Sequence, residues 1–105
     1  MPSGEISLEL WNIVEIKIGE SNTRHFVGYC VEDRQGRVST PILTFDKDKG
    51  VGTTRSGSKY QLVGEPGHVH PDGLYVFEVT TLNYPIEYTW VFPVVDPNSK
   101  VNADA

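Results

Sequence analysis

Residue types that hold metals and move protons come together once in this chain, at His68, His70 and Asp72 of the segment GHVHPDG. Two histidines one residue apart in extended backbone project to the same side, as zinc ligation wants, and Asp72 adds a third ligand or a partner that orients an imidazole. The competing reading is a solvated pair in a loop. Only His25, far upstream, could extend the set. Glu78 is the inward-facing acid candidate, because it shares the parity of Leu74 and Val76; a salt bridge explains it as well. His68, His70, Asp72 and Glu78 are thus the catalytic candidates, of a small hydrolase or lyase. No metal and no cofactor is expected: no phosphate loop, Rossmann glycine pattern or nucleophile elbow occurs.

The histidine spacing is similar to the H-x-H-x-D motif of metallo-β-lactamase-type hydrolases. The chain departs from it at Gly73, where a further histidine would stand, and is too short for that fold. Two other places could form a ligand or partner surface. Arg55, Lys59 and Tyr60 make a small basic hairpin with an aromatic, able to touch phosphate or carboxylate. Tyr88, Trp90 and Phe92 make an aromatic series that reads first as core and second as the lining of an apolar pocket.

Composition narrows the classes. At 105 residues, 38% hydrophobic and 10% aromatic, the chain suits one folded domain, expected over 1–96 with a frayed tail at 97–105. The net charge of -5 argues against a nucleic-acid partner. Eight of the nine basic residues precede residue 60, which leaves the second half acidic. A single cysteine, Cys30, excludes an internal disulfide and reads as core. With no leader and no apolar run long enough to span a bilayer, a cytoplasmic location without membrane contact is expected.

The elements that must position these residues are mostly strands. Ile6, Leu8, Leu10, Asn12, Val14, Ile16 and Ile18 alternate with Glu5, Ser7, Glu9, Glu15 and Lys17, which predicts a long strand with a bend or bulge at Asn12 and with Trp11 and Ile13 as apolar exceptions on the outer face. His25–Val31 reads as a central strand. Val38–Phe45 follows a polar turn, with Pro41 restricting it to an edge or a bulge. Thr53–Arg55 and Lys59–Val63 flank a Gly-containing hairpin connection. The ten residues Gly64–Gly73 form a long loop, a common seat of function. Leu74–Leu82 reads as strand by its β-branched and aromatic content, or as a short helix started by Pro71 and Asp72. The last strand carries Ile86, Tyr88, Trp90, Phe92 and Val94 on one aromatic face. The fold class is mostly β: a small antiparallel β-barrel or β-sandwich of about seven strands, with one short helix near 72–82 as the option.

The runs GRVSTPI (36–42) and TTRSGSKYQLVGEPG (53–67) resemble a group of small bacterial proteins carried on mobile elements, including integron gene cassettes. The resemblance covers about a third of the chain and implies a bacterial cytoplasmic accessory protein, with a more helical region after Pro71. The reading that follows is a non-enzymatic binding or protein-interaction module, expected to self-associate as a homodimer and to take a protein or a small apolar ligand. The hydrolase or lyase is the alternative.

Overall fold

The computed structural model describes residues 5–82 and 86–94. Among them are seven strands, β1 (Glu5–Ile18), β2 (Ser21–Cys30), β3 (Gln35–Val38), β4 (Ile42–Asp46), β5 (Val51–Thr54), β6 (Lys59–Val63) and β7 (Glu87–Trp90). One helix, α1 (Pro71–Thr81), lies between β6 and β7. The chain is mostly β with one short helix, and the strand order is β3-β2-β1-β6-β5-β4, with β7 also paired to β1. The sheet is mixed rather than wholly antiparallel, because β6 returns beside β1 in the same sense, Glu5 opposite Lys59 and Glu9 opposite Val63. Four intervening strands supply the long crossover that a parallel pair needs. The two end strands, β3 and β4, do not pair with each other, so the sheet is curled but not closed.

One irregularity in β1 organises the interior. Between the pairs Glu9↔Tyr29 and Asn12↔Val27, β1 carries one residue more than β2, and Leu10 takes φ +47°. A bulge of this kind shifts the side-chain alternation by one. Ahead of it Ile6 and Leu8, and beyond it Trp11 and Ile13, point to the same cluster with Phe26, Cys30, Tyr60 and Leu62. Val14 and Ile16 point the other way, to Val27 and Phe77. Trp11 and Ile13 are therefore not exceptions on an outer face. They belong to the main core, at 3% and 2% exposure.

The bulge also leaves backbone groups to satisfy, and Asn12 does it from a fully buried position. Its Oδ1 accepts from the N–H of Ile13 at 2.7 Å and of Phe92 at 3.2 Å, and its Nδ2 donates to the Phe92 carbonyl at 3.0 Å. The side-chain amide thus continues the β1–β7 pairing, which ends at Val14↔Trp90, with a mimic of a peptide unit.

The segment read as strand or helix at 74–82 is helical to Thr81, and the strand reading is overturned by its start signals. Pro71 occupies the first turn, where its missing N–H costs nothing, and His70 caps the helix, its Nδ1 accepting from the Asp72 N–H at 3.0 Å. Glycines let α1 sit directly on the sheet. A Cβ on Gly36 would land on the Asp72 carbonyl, and one on Gly73 would come within 2.8 Å of the Gly28 oxygen. Phe77, 1% exposed, fills the space between α1 and the sheet against Tyr88 and Trp90, at ring-centroid distances of 5.0 and 5.9 Å.

Two further strand boundaries move. Pro41 divides the segment 38–45, leaving β3 on β2 and β4 on β5. The last strand is regular only over Glu87–Trp90, and its aromatic face divides. Tyr88 and Trp90 pack on Phe77, whereas Phe92 turns to the main core, 5.8 Å from Trp11 and 6.5 Å from Phe45 between ring centroids. Residues 83–85, residue 95 and the tail expected at 97–105 lie outside the described residues.

Candidate functional site

The histidine loop is tied to the framework by its own backbone. The N–H groups of Gly67 and His68 both donate to the Trp11 carbonyl, at 3.1 and 3.2 Å, and the Trp11 indole donates to the Gly64 carbonyl at 3.1 Å. His70 stacks on Tyr29 with 4.8 Å between ring centroids while its Nδ1 serves the helix cap. Asp72 and Glu78 are exposed on α1, so Glu78 is not the inward-facing acid: the parity it shares with Leu74 and Val76 orders faces in a strand, whereas in the helix Gly73 and Phe77 are the buried residues. Among the described residues no three His, Cys, Asp or Glu side chains are grouped as a metal ion would require. Nor is any helix there long and apolar enough to cross a membrane.

The remaining candidates scatter. Tyr60 is core at 1% exposure, and its hydroxyl accepts from Arg37 Nε at 2.9 Å, so it presents no outer surface. Lys59 stands 3.8 Å from Glu5 across the β1–β6 pair. Tyr88 is 48% exposed, while Trp90 and Phe92 are half-buried. Cys30, the last residue of β2, lies in the main core, and burial pushes its thiol up from the ordinary range.

Arg55 is the sequence candidate that lines the groove between β2 and β4, while Asp72 borders a smaller hollow of about 280 Å³ beside Gly36 and Tyr75. A groove of about 420 Å³ opens where β4 and the first half of β2 face each other without pairing. Ile13, Pro41, Ile42, Leu43 and Phe45 give it apolar walls continuous with the main core. Glu15, Arg24 and Arg55 give it charge, with Asn22 and Thr23 between. Arg24 is held by Glu15 at 3.1 Å. Arg55 is anchored through its backbone N–H to the Pro41 carbonyl at 2.8 Å, and among the described residues no carboxylate lies within 4 Å of its guanidinium. Sequence patterning missed this groove because it depends on where pairing stops. Pro41 was its only local signal.

His25 stands behind the groove. Its Nδ1 lies 2.8 Å from the Ser39 carbonyl, which assigns the proton there, and its Nε2 then accepts from the Thr23 hydroxyl at 2.8 Å. Burial lowers its pKa from the ordinary 6.5, the Ser39 bond opposes that, and the positive charge of Arg55 adds to the lowering. The unfolded chain then takes up a proton that the folded one refuses, so this part of the stability is present above pH 6.5 and is lost as pH falls from there through the folded value. Urea unfolding between pH 8 and pH 5 is expected to show a decline that is flatter in His25→Gln. Identical slopes for the two proteins would refute the assignment.

No family model, curated protein or solved structure matches the chain.

Proposed function

We propose that this chain is a non-enzymatic binding module whose ligand seat is the groove between β2 and β4. The observation that carries this reading is the interruption of strand pairing. Phe26 turns its backbone groups toward Ser39, its N–H donating to Ser39 Oγ at 2.9 Å and its carbonyl accepting from the Ser39 N–H at 2.9 Å. By the alternation of an antiparallel ladder, Asn22 and Arg24 also turn theirs away from β1. The third strand pairs only with Val27–Cys30 of β2, so it does not cover them. β4 likewise pairs on one side only, with β5. Apolar walls with a few polar groups converging on them are the ordinary make-up of a small-ligand site, and the volume falls in the usual range.

The groove offers little to catalysis. Its one carboxylate, Glu15, is committed to Arg24, and no histidine or cysteine lines it. The setting attached to this reading is the one the resemblance implies, an accessory protein of a bacterial mobile element.

Titration of ¹⁵N-labelled protein with a library of small apolar and peptide fragments tests the reading. Amide shifts are expected to cluster at Asn22–Arg24 and Ile42–Phe45. Leu43, 64% exposed, is the residue to change: Leu43→Asp is expected to abolish those shifts while moving the melting temperature by no more than about 4 °C, as for other surface substitutions. Shifts that map elsewhere, or that survive the substitution, would overturn the proposal.

A further inference from the structure

The charges in the groove go further and select a class of ligand; this step rests on the groove being the binding seat. Arg24 and Arg55 against Glu15 leave one positive charge uncompensated there, in a chain whose net charge is -5. The Arg24–Glu15 pair removes two of the three charges. What remains is a single planar guanidinium at the rim of an apolar slot. A guanidinium fork matches a carboxylate in two parallel hydrogen bonds. A cation would meet Arg55, and a dianion such as a phosphate monoester would leave an excess negative charge beside Glu15. A neutral apolar molecule would fill the slot but gain nothing from Arg55, which is exposed and stays hydrated.

We propose that the groove receives a small monocarboxylate with an apolar body, its carboxylate on Arg55 and its hydrocarbon on Ile13, Ile42 and Phe45. Ile13 is buried and Ile42 and Phe45 are half-buried, so the body would extend the main core rather than lie on the surface. The carboxylate would stay at the rim, where the Arg55 backbone is pinned to Pro41. The arrangement also carries its own reporter. The charge of Arg55 helps to keep His25 unprotonated, so an anion on Arg55 relieves that effect and raises the pKa of His25.

Octanoate, octanol and octylamine are the probes, since they share a chain and differ in head group. Binding is followed by amide shifts and calorimetry, and the His25 ring by its pH titration in NMR. Octanoate is expected to bind in the groove about tenfold or more tighter than octanol, the worth of a hydrogen bond to a charged group. Octylamine is expected to bind least. Arg55→Gln should bring octanoate down to the level of octanol without changing octanol. Arg55→Lys should fall between, because it keeps the charge and loses the fork. In the unsubstituted protein octanoate should raise the pKa of His25, and in Arg55→Gln it should not. Equal binding of octanoate and octanol in the groove would overturn the carboxylate class and leave the groove as a binding seat. Shifts outside the groove, or none with any probe, would overturn both. Melting curves of the Arg55 variants separate loss of binding from loss of fold.

Discussion

Replacing Asn12 with alanine is expected to destabilise the fold by about 3 kcal/mol, because it orphans three backbone groups at once, one buried and two partly buried, and an unpaired backbone group costs about 1–3 kcal/mol where water cannot reach it. Those groups are the N–H of Ile13 and both the N–H and the carbonyl of Phe92. For a chain of this size the loss corresponds to a fall in melting temperature of more than about 10 °C. Asn12→Asp separates hydrogen bonding from packing. It keeps the shape and the acceptor oxygen, but at neutral pH it cannot donate to Phe92 and it buries a charge. Its deficit should shrink on acidification, when a neutral carboxylic acid regains a donor. Calorimetric melting of the two variants across pH is the measurement. An Asn12→Ala protein that melts within 2–3 °C of the parent, roughly a surface-type effect, would remove the bridging role.

The second large effect is expected from Gly36→Ala. The added methyl would meet the backbone of Asp72 and Gly73, which cannot rotate aside as a side chain can. Either α1 lifts or β3 leaves β2. Overpacking of this sort costs about 1–3 kcal/mol and sometimes more, and here it would also uncover Phe77, now 1% exposed. Amides of α1 should exchange with deuterium far faster than in the parent, and the near-ultraviolet signal of Trp90 and Tyr88 should weaken. Gly57→Ala is the control. Gly57, unlike Gly36, has a positive φ, and nothing lies within 4 Å of a Cβ built there, so Gly57→Ala brings backbone strain without a collision. Unchanged exchange across α1 in Gly36→Ala would show that the helix is not held by this contact.

Much of the strand framework was legible because alternation reports half-burial directly, and β1, β2 and the β5–β6 hairpin follow from it. The parity change at Leu10 was not legible. A positive φ on leucine has no composition signal, and the apolar side chains on either side of the bulge satisfy one alternating pattern or two equally well. The bend expected at Asn12 falls beside the true site, and the bridging amide accounts for the asparagine there. The helix at Pro71–Thr81 was obscured by Val76, Val79, Thr80 and Thr81, whose β-branching favours strands. The cap at His70 and the proline after it outweighed that preference. The loop at 64–73 drew attention through its histidines, yet its carbonyl and amide contacts with Trp11 make it a brace. Of the groove lining, Arg55 alone stands out in the sequence, as part of a basic hairpin. Its neighbours come from β1, β2 and β4, segments up to about forty residues apart that only the curl of the sheet brings together.

The central place of β1 bears on how the chain is made. Its first pairing, with β2, is complete by residue 30, but its other side waits for Lys59–Val63 and Glu87–Trp90. At ribosomal rates of about 5–20 residues per second, the sixty residues between the first pairing and the last take roughly 3–12 s. During that interval the nascent hairpin holds half of each core without its cover, with one long edge of β1 open to any other strand. Such non-local pairing places the folding of this chain among the slower topologies, and the vulnerable species is the hairpin on the ribosome rather than the finished protein.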